Sequence, residues 1–562
     1  MQVSSPFPDI EIPECNILSY LFPTIDPKQA QEDQSRPLWI NASNPSIRLS
    51  VADTLLFIRR FAVGLERLQI PRQRAVMVLS PNHVYLPVVY LAAAGAGCFF
   101  SGASPAYTVE EVSRQLRMSD AALMLVHPSL LDCGVKAAEA AGLPLDRVFQ
   151  FSDVDCNISK HGVRDWKSML GSEEESRDWQ WDPLRGERSR KTVSCVNFSS
   201  GTTGTPKGVR ISHANVVANA CQVIYAKAHN ADQSLVTLHP ERWLAFLPLN
   251  HAYAQLFSIV IVCKLRTPVF LMTQFRFNDY LRHIQTHKIT TLQVVPPVIS
   301  MLHKRPEVTQ YDLGSVRYLM SAAAPLSSEL QNAVTKQLKG AVIAQSWGMT
   351  ETTCTGLMIP GTTPDDTGSV GSLLPNTQAM LVNEQGREVG GATGGELWIR
   401  GPQITAGYWR NAEATSQTLT EDGWLKTGDI AKYSGGKWWI VDRSKELIKV
   451  NGFQVAPAEL EAVLLEHDDI TDAAVVGIVL HGEEYPRAYV TLHQHASRKV
   501  DLTSAIQEFV SRKVAKHKAL TGGVSIVDAI PRLQSGKIQR NVVKQWSKRD
   551  ATELEKTVKA RL

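Results

Sequence analysis

From about Leu49 to Asp155, short apolar runs alternate with longer stretches whose apolar positions recur at helical spacing. AVMVL (75–79) and AALMLV (121–126) have the length and texture of buried strands, whereas VADTLLFIRRFAVGLERL and TVEEVSRQL read as amphipathic helices. That alternation predicts an α/β layout with a parallel sheet. A charged, Trp-punctuated connector at 172–191 precedes the strand-like VSCVNF (193–198). A second α/β pass runs from Ile211 to about Gly348, with WLAFLPL, TPVFLM, TTLQVV, VRYLM and AVIAQS as its strands. From about 352 to 440, short β runs and Gly-rich turns replace the alternation and predict a small β-barrel-like part. After Ser444 a shorter α+β unit follows, with helix-like APAELEAVLLEH and strand-like AAVVGIV. The expected organisation is an N-terminal unit over 1–443, built of two α/β subdomains and the β-rich part, then a C-terminal α+β unit over 444–562.

Composition narrows the classes. A chain of 562 residues exceeds what one core serves. Its 44% hydrophobic and 20% charged residues are those of a globular chain, not a disordered one. The net charge of +4 is mild and the basic residues are dispersed, so no nucleic-acid partner is expected. The eight cysteines show no metal-ligand spacing and read as buried thiols of a reducing compartment. Asp9, Glu11 and Glu14 stand where an export signal carries basic residues. Ala75–Val109 lacks any charged residue, but Pro81, Pro87, Gly95, Gly97 and Pro105 break it, so buried strand and helix is expected rather than a membrane span. Ala560-Arg561-Leu562 has the small-basic-Leu form that the peroxisomal import receptor reads. The peroxisomal matrix is therefore the expected location, with the cytoplasm as the alternative.

The densest chemistry lies in SSGTTGTPKGV (199–209), between VSCVNF and RISHANVVANA. Gly201, Gly204 and Gly208 let the backbone turn tightly toward an anion. Ser199, Ser200, Thr202, Thr203 and Thr205 add hydroxyl donors, and Lys207 adds positive charge. A polyphosphate needs this combination. It is not a Walker A loop, because Pro206 stands where the second glycine would fall. A solvated Ser/Gly linker is the competing reading, and the preceding apolar strand argues against it.

These residues resemble the signature of the adenylate-forming superfamily of acyl-CoA ligases, firefly luciferases and peptide-synthetase adenylation domains. Further segments appear in that family's order: LPLNHAYAQ (247–255), SAAAPL (321–326), QSWGMTE (345–351), GELWIRGPQITAGYW (395–409), GWLKTGD (423–429), VDRSKELIKVNGFQVAPAELE (441–461) and PRLQSGKIQR (531–540). The texture is similar to the 4-coumarate:CoA ligase branch. The resemblance implies ATP-dependent activation of a small-molecule carboxylic acid as its acyl-AMP, then transfer to a thiol, usually coenzyme A. It also implies that the C-terminal unit is mobile and rotates between the two half-reactions.

Roles follow from that resemblance. Ser199 to Thr203, Lys207, Ala323, Gln345, Trp347 and Thr350 match ATP- or AMP-binding positions. Trp347 stands where relatives usually have Tyr and offers a flat face to adenine. Glu351 is expected to hold Mg²⁺, which prefers oxygen ligands. Asp429 and Arg443 match ribose contacts. Lys537 resembles the lysine that reaches the carboxylate and the bridging oxygen during adenylation. Lys445 lies at the hinge, and Lys449, Asn451 and Gly452 match the thioester-forming, CoA-binding side. His251 matches a gate between acyl pocket and thiol tunnel, a core histidine being the alternative. The acyl wall is expected from Ala252, Tyr253, Leu256, Met320, Ala322, Ala323, Ser346 and Met358.

The chain departs from plant-type ligases at Met320 and Ser346, and at Gln274 and Asn451 where lysines hold CoA phosphates. An apolar fatty or aryl acid is the expected substrate, since no Asp in LPLNHAYAQ awaits an α-ammonium. An acyl-AMP ligase loading a carrier protein's phosphopantetheine, a luciferase-like oxidation and a non-catalytic nucleotide-binding protein are the alternatives.

Overall fold

The computed structural model describes residues 2–23, 34–153, 160–199, 206–229, 240–450, 453–480, 483–493, 496, 502–533 and 536–559. Two large sheets dominate. In the first, strands Phe99–Ala103, Ala75–Leu79, Ala121–Val126 and Val148–Gln150 run parallel, with the hairpin Val193–Ser199 and Lys207–Ser212 along one edge. In the second, Val342–Trp347, Tyr318–Ser321, Thr291–Val294, Trp243–Ala245, Val269–Leu271 and Pro37–Asn41 are parallel neighbours. Strands buried on both faces need near-continuous apolar runs, which is why Ala75–Leu79 and Ala121–Val126 were visible in the sequence, whereas Phe99–Ala103, Val148–Gln150 and Pro37–Asn41 were not picked out.

The charge-free stretch 75–109 folds as strand, helix Leu86–Gly95 and strand, all of them buried. No helix among the described residues is long and apolar enough to cross a membrane. The connector at 172–191 is docked by its tryptophans: Trp179 Nε1 donates to Glu66 at 2.8 Å and Trp181 Nε1 to Ser19 at 2.9 Å.

The β-rich part centres on an antiparallel sheet of Gln378–Val382, Gly395–Arg400, Leu425–Ser434 and Lys437–Arg443. Two features differ from the sequence expectation. Gln2–Ser4 joins this sheet as an edge strand, and Leu357–Met358 and Ser372–Leu373 extend the second large sheet instead. Strands of two or three residues carry no readable period; distant partners decide them.

Beyond Arg443, helices Pro457–Leu465, Leu502–Ser511 and Arg540–Lys559 pack with the sheet Ile470–Leu480, Glu483–Leu492 and Val524–Ile526. Ile448, Val455, Leu460, Val475, Val490 and Ile506 form a core separate from that of the large sheets.

Candidate active site

Lys207 stands opposite Ser199 in the hairpin, so residues 200–206 form its connection. Ser200, Gly201, Thr202, Thr203, Gly204 and Thr205 lie outside the described residues, and so does the Ser199 side chain. Lys207 is described: its Nζ sits 5.3 Å from the centre of the Tyr408 ring. The Tyr408 hydroxyl donates to Glu351 Oε1 at 2.8 Å. Glu351 rides on the single turn Thr350–Thr352 and is 5% exposed. Backbone bonds stitch these pieces together, from Trp409 N–H to the Gly208 carbonyl at 2.7 Å and from Thr405 N–H to the Glu351 carbonyl at 2.9 Å. The cation of the phosphate loop and the carboxylate of the Thr-Glu turn thus share one tyrosine. Tyr408 lies in the GYW motif, and its partner lies 57 residues earlier, beyond the reach of any local pattern.

Asp429 and Arg443 face each other across the antiparallel pair, with Arg443 Nε 3.2 Å from Asp429 Oδ1. The other carboxylate oxygen accepts the Trp347 indole N–H at 2.8 Å. Trp347 itself is 8% exposed and lies under Gly356, where a Cβ would come within 2.8 Å of the indole. The indole N–H is thus committed to Asp429, which fixes the plane of the ring the sequence assigns to adenine. Burial raises the Asp429 carboxyl, against the opposing pull of Arg443 and the indole; the same carboxylate raises Arg443.

Lys537 comes to this cluster from the C-terminal unit. Burial, then the neighbouring Arg443 charge, lowers its ammonium below the ordinary lysine value, while Asp429 and Glu351 pull the other way. His251 feels the same lysine: burial and then Lys537 push it down to about 4, so its imidazole is neutral near pH 7. The sulfur of Cys354, in the adjoining wall, is pushed up to about 12 by burial and stays a thiol. Lys537, Glu351, Asp429, Arg443 and His251 therefore belong to one electrostatic neighbourhood.

The apolar wall is built on strand register. Met320 lies opposite Gln293 and Ala344 on neighbouring parallel strands, and Ser346 pairs with Met358. Tyr253 donates its hydroxyl to the Met320 carbonyl at 3.0 Å, and Ala252 and Leu256 are buried beside it. The segment Gln255–Ile261 is wound as a π-helix, a form common near functional sites. There Gln255 and Asn197 exchange two side-chain bonds of 2.7 and 3.0 Å, tying the acyl-side helix to the strand before the phosphate loop. Nothing in the sequence singled out this amide pair. Ala323 holds φ at 75°, a left-handed conformation costly for a residue with a Cβ, and Ala322 packs beside it half-buried. The Gln345 side-chain amide donates to the Leu326 carbonyl at 3.1 Å and to Gln331 at 2.9 Å.

Lys445 and Lys449 are exposed, and the Lys449 backbone N–H is held by Glu484 within the C-terminal unit. Asn451, Gly452 and Ala560-Arg561-Leu562 lie outside the described residues.

Mg²⁺ binds through one or two carboxylates and substrate phosphates rather than an all-protein cage. Glu351, a buried carboxylate beside the phosphate-loop lysine, fits that role. No group of three or more His, Cys, Asp or Glu residues among the described ones could hold a metal unaided.

The chain matches the AMP-binding enzyme family over residues 27–409 and the AMP-binding enzyme C-terminal domain over 459–537. It is 35% identical over 552 residues to phenylacetyl-CoA ligase epaB of Aspergillus niger, covering 96% of this chain and 98% of that one. It is 33% identical over 547 residues to 4-coumarate--CoA ligase 1 of Solanum tuberosum, covering 95% of each. The anthranilate CoA ligase AuaEII, solved with anthranoyl-AMP, shares the fold with a TM-score of 0.82 at 20% identity, over 97% of this chain and 99% of that one. With both domains matched in order, the chain belongs to the AMP-binding, adenylate-forming enzymes.

Proposed function

We propose that this AMP-forming acid–thiol ligase activates an apolar aryl or fatty acid with ATP and passes the acyl group to coenzyme A. The observation that carries the reading is the buried pair of assemblies Lys207–Tyr408–Glu351 and Trp347–Asp429–Arg443, whose charges are felt by Lys537 of the C-terminal unit. Full-length similarity to phenylacetyl-CoA and 4-coumarate ligases supports it.

In the first half-reaction a carboxylate oxygen attacks the α-phosphorus of ATP and the bond to pyrophosphate breaks. Two anions must be brought together, so the protein's task is charge compensation and alignment. Lys207 and the loop hydroxyls neutralise the outgoing phosphates. Lys537 offsets the carboxylate and the bridging oxygen, while Asp429 and Arg443 hold the ribose and so fix the α-phosphorus. Glu351 would hold Mg²⁺, which supplies further neutralisation of phosphate charge when bound. In the second half-reaction the CoA sulfur attacks the acyl carbon, its proton goes to solvent, and AMP leaves. Neutral His251 presents no charge to the acyl carbon's surroundings and serves as a gate. Lys445, Lys449, Asn451 and Gly452 act after the C-terminal unit has turned.

The wall of Tyr253, Leu256, Met320 and Met358 favours a phenylalkanoic or longer apolar acid over a phenol-bearing one. The test is CoA-dependent AMP release across phenylacetic, cinnamic, 4-hydroxycinnamic and fatty acids. Phenylacetic or fatty acids are expected to lead; acid-dependent pyrophosphate exchange without any CoA thioester would replace the CoA reading by carrier loading. Peroxisomal import is proposed on Ala560-Arg561-Leu562 alone. Deleting that tripeptide should disperse a tagged protein into the cytosol, and unchanged puncta would refute it.

A further inference from the structure

We propose that Lys304 is a positioning residue for the adenylation half-reaction, a latch that docks the C-terminal unit so that Lys537 reaches the active site. The proposal rests on the two-half-reaction reading above and adds a residue to it.

Helix Pro296–Lys304 belongs to the large N-terminal unit and touches the C-terminal unit at both ends. At its C-terminal end, Lys304 Nζ donates to the Leu465 carbonyl at 2.6 Å and to the Ile470 carbonyl at 2.8 Å. Leu465 is the last residue of helix Pro457–Leu465, so its carbonyl has no acceptor role left inside that helix and carries the negative end of the helix dipole. Ile470 begins the long strand Ile470–Leu480. One ammonium thus fastens the helix and the strand that frame the C-terminal unit. Burial lowers this lysine, with Asp468 and Asp472 opposing, as expected for a cation enclosed between two units.

From Ile470 the contacts lead to the catalytic lysine. Two residues on, Asp472 receives both Arg532 Nε at 2.9 Å and Nη2 at 2.6 Å. Arg532 Nη1 then donates to the Gly536 carbonyl at 2.6 Å, the peptide that precedes Lys537. Gly536 has φ of 81° and lies so close to Val295 that a Cβ there would stand 2.9 Å from Val295 Cγ2. Val295 is the N-cap of the helix that ends at Lys304. The circuit closes on itself: Lys304, Ile470–Asp472, Arg532, Gly536, Val295, and back along a helix about 13 Å long. Undocking one end of that helix removes the geometry that presents Lys537.

A latch of this kind serves one half-reaction only. Once the C-terminal unit turns, Leu465 and Ile470 leave Lys304, so thioester formation does not need it. Lys304→Met keeps the aliphatic stem and removes the ammonium. With phenylacetic acid as probe, acyl-AMP formation is expected to fall by at least about tenfold, while thioester formation from supplied phenylacetyl-AMP and CoA stays within about twofold of the parent. Equal loss of both half-reactions, or no loss of the first, overturns the proposal. A second arm needs no turnover: energy transfer between probes on Asn332 and Lys516, exposed positions of the two units, reads the docked population directly. Lys304→Met is expected to lower the docked fraction with ATP bound; an unchanged fraction overturns the latch, even if the CoA-ligase reading itself were to fail in the first arm.

Discussion

At the scale of single residues, charge compensation decides what each side chain is for. In the proposed mechanism, Lys537→Ala removes the cation that meets the carboxylate. Acyl-AMP formation is expected to fall by about 10²–10³, the scale seen for one transition-state donor, with thioester formation from supplied acyl-AMP largely intact, as separate assays of the two half-reactions would record. Trp347→Phe keeps the ring but leaves one oxygen of the buried Asp429 without its 2.8 Å donor. A hydrogen bond to a charged group is worth about 1.5–3 kcal/mol, so KM for ATP should rise by about tenfold or more with kcat less affected. His213 tests a different property. It is fully buried, its Nδ1 accepts the Ile17 N–H at 3.1 Å, and burial pushes it down to about 3. Its folded value lies below the unfolded one near 6.5, so the unfolded chain binds the extra proton as pH falls, and stability present above 6.5 is lost toward 3. Between pH 6.5 and 5 this amounts to about 2 kcal/mol. His213→Gln, which can still accept from Ile17, should show a correspondingly shallower loss in denaturant unfolding at pH 5 against pH 7.

Elements show what could be read before the coordinates and what could not. Ala75–Leu79 and Ala121–Val126 were legible because strands buried on both faces are written as unbroken apolar runs. The Gln2–Ser4 strand was not, since its three residues acquire a partner only when residues 378–380 arrive beside them. The site divides the same way. Lys207, Glu351, Asp429 and Lys537 sit in contiguous motifs and could be named. The contacts Tyr408–Glu351 and Trp347–Asp429 span 57 and 82 residues and belong to tertiary packing, which no local spacing encodes. The Lys537 turn is an element that combines both: Gly536 is visible in Ser-Gly-Lys, but its need for glycine comes from Val295. Gly536→Ala forces a Cβ onto φ of 81° and against Val295. The left-handed conformation alone costs about 1–2 kcal/mol. Adenylation should drop about tenfold with thioester formation spared, measured as above; loss of both would mean the turn matters to folding rather than docking.

For the molecule as a whole, the separate cores make a sharper claim than the motifs do. The large unit closes its own core around the two sheets, and the C-terminal unit closes another around Leu460, Val475 and Ile506. Between them, polar contacts such as Lys304 to Leu465 and Gln454 to Glu384, with the close fit of Gly536 on Val295, make a junction suited to rotation. Interfaces of that character allow relative domain motion. A fragment of residues 1–443 is therefore expected to fold alone, because its main core closes around the two sheets without residues of the C-terminal unit. It retains Glu351, Trp347, Asp429 and Arg443, hence the proposed ribose and phosphate contacts, and should bind ATP within about tenfold of the full chain, since the mechanism proposed above assigns Lys537 to the reacting carboxylate. Its acyl-AMP formation should fall as far as that of Lys537→Ala. Calorimetric titration with ATP and pyrophosphate exchange separate the two properties. A fragment that aggregates would contradict the independent core, and one that adenylates at the full rate would remove Lys537 from the first half-reaction and, with it, the reason for docking the second unit at all.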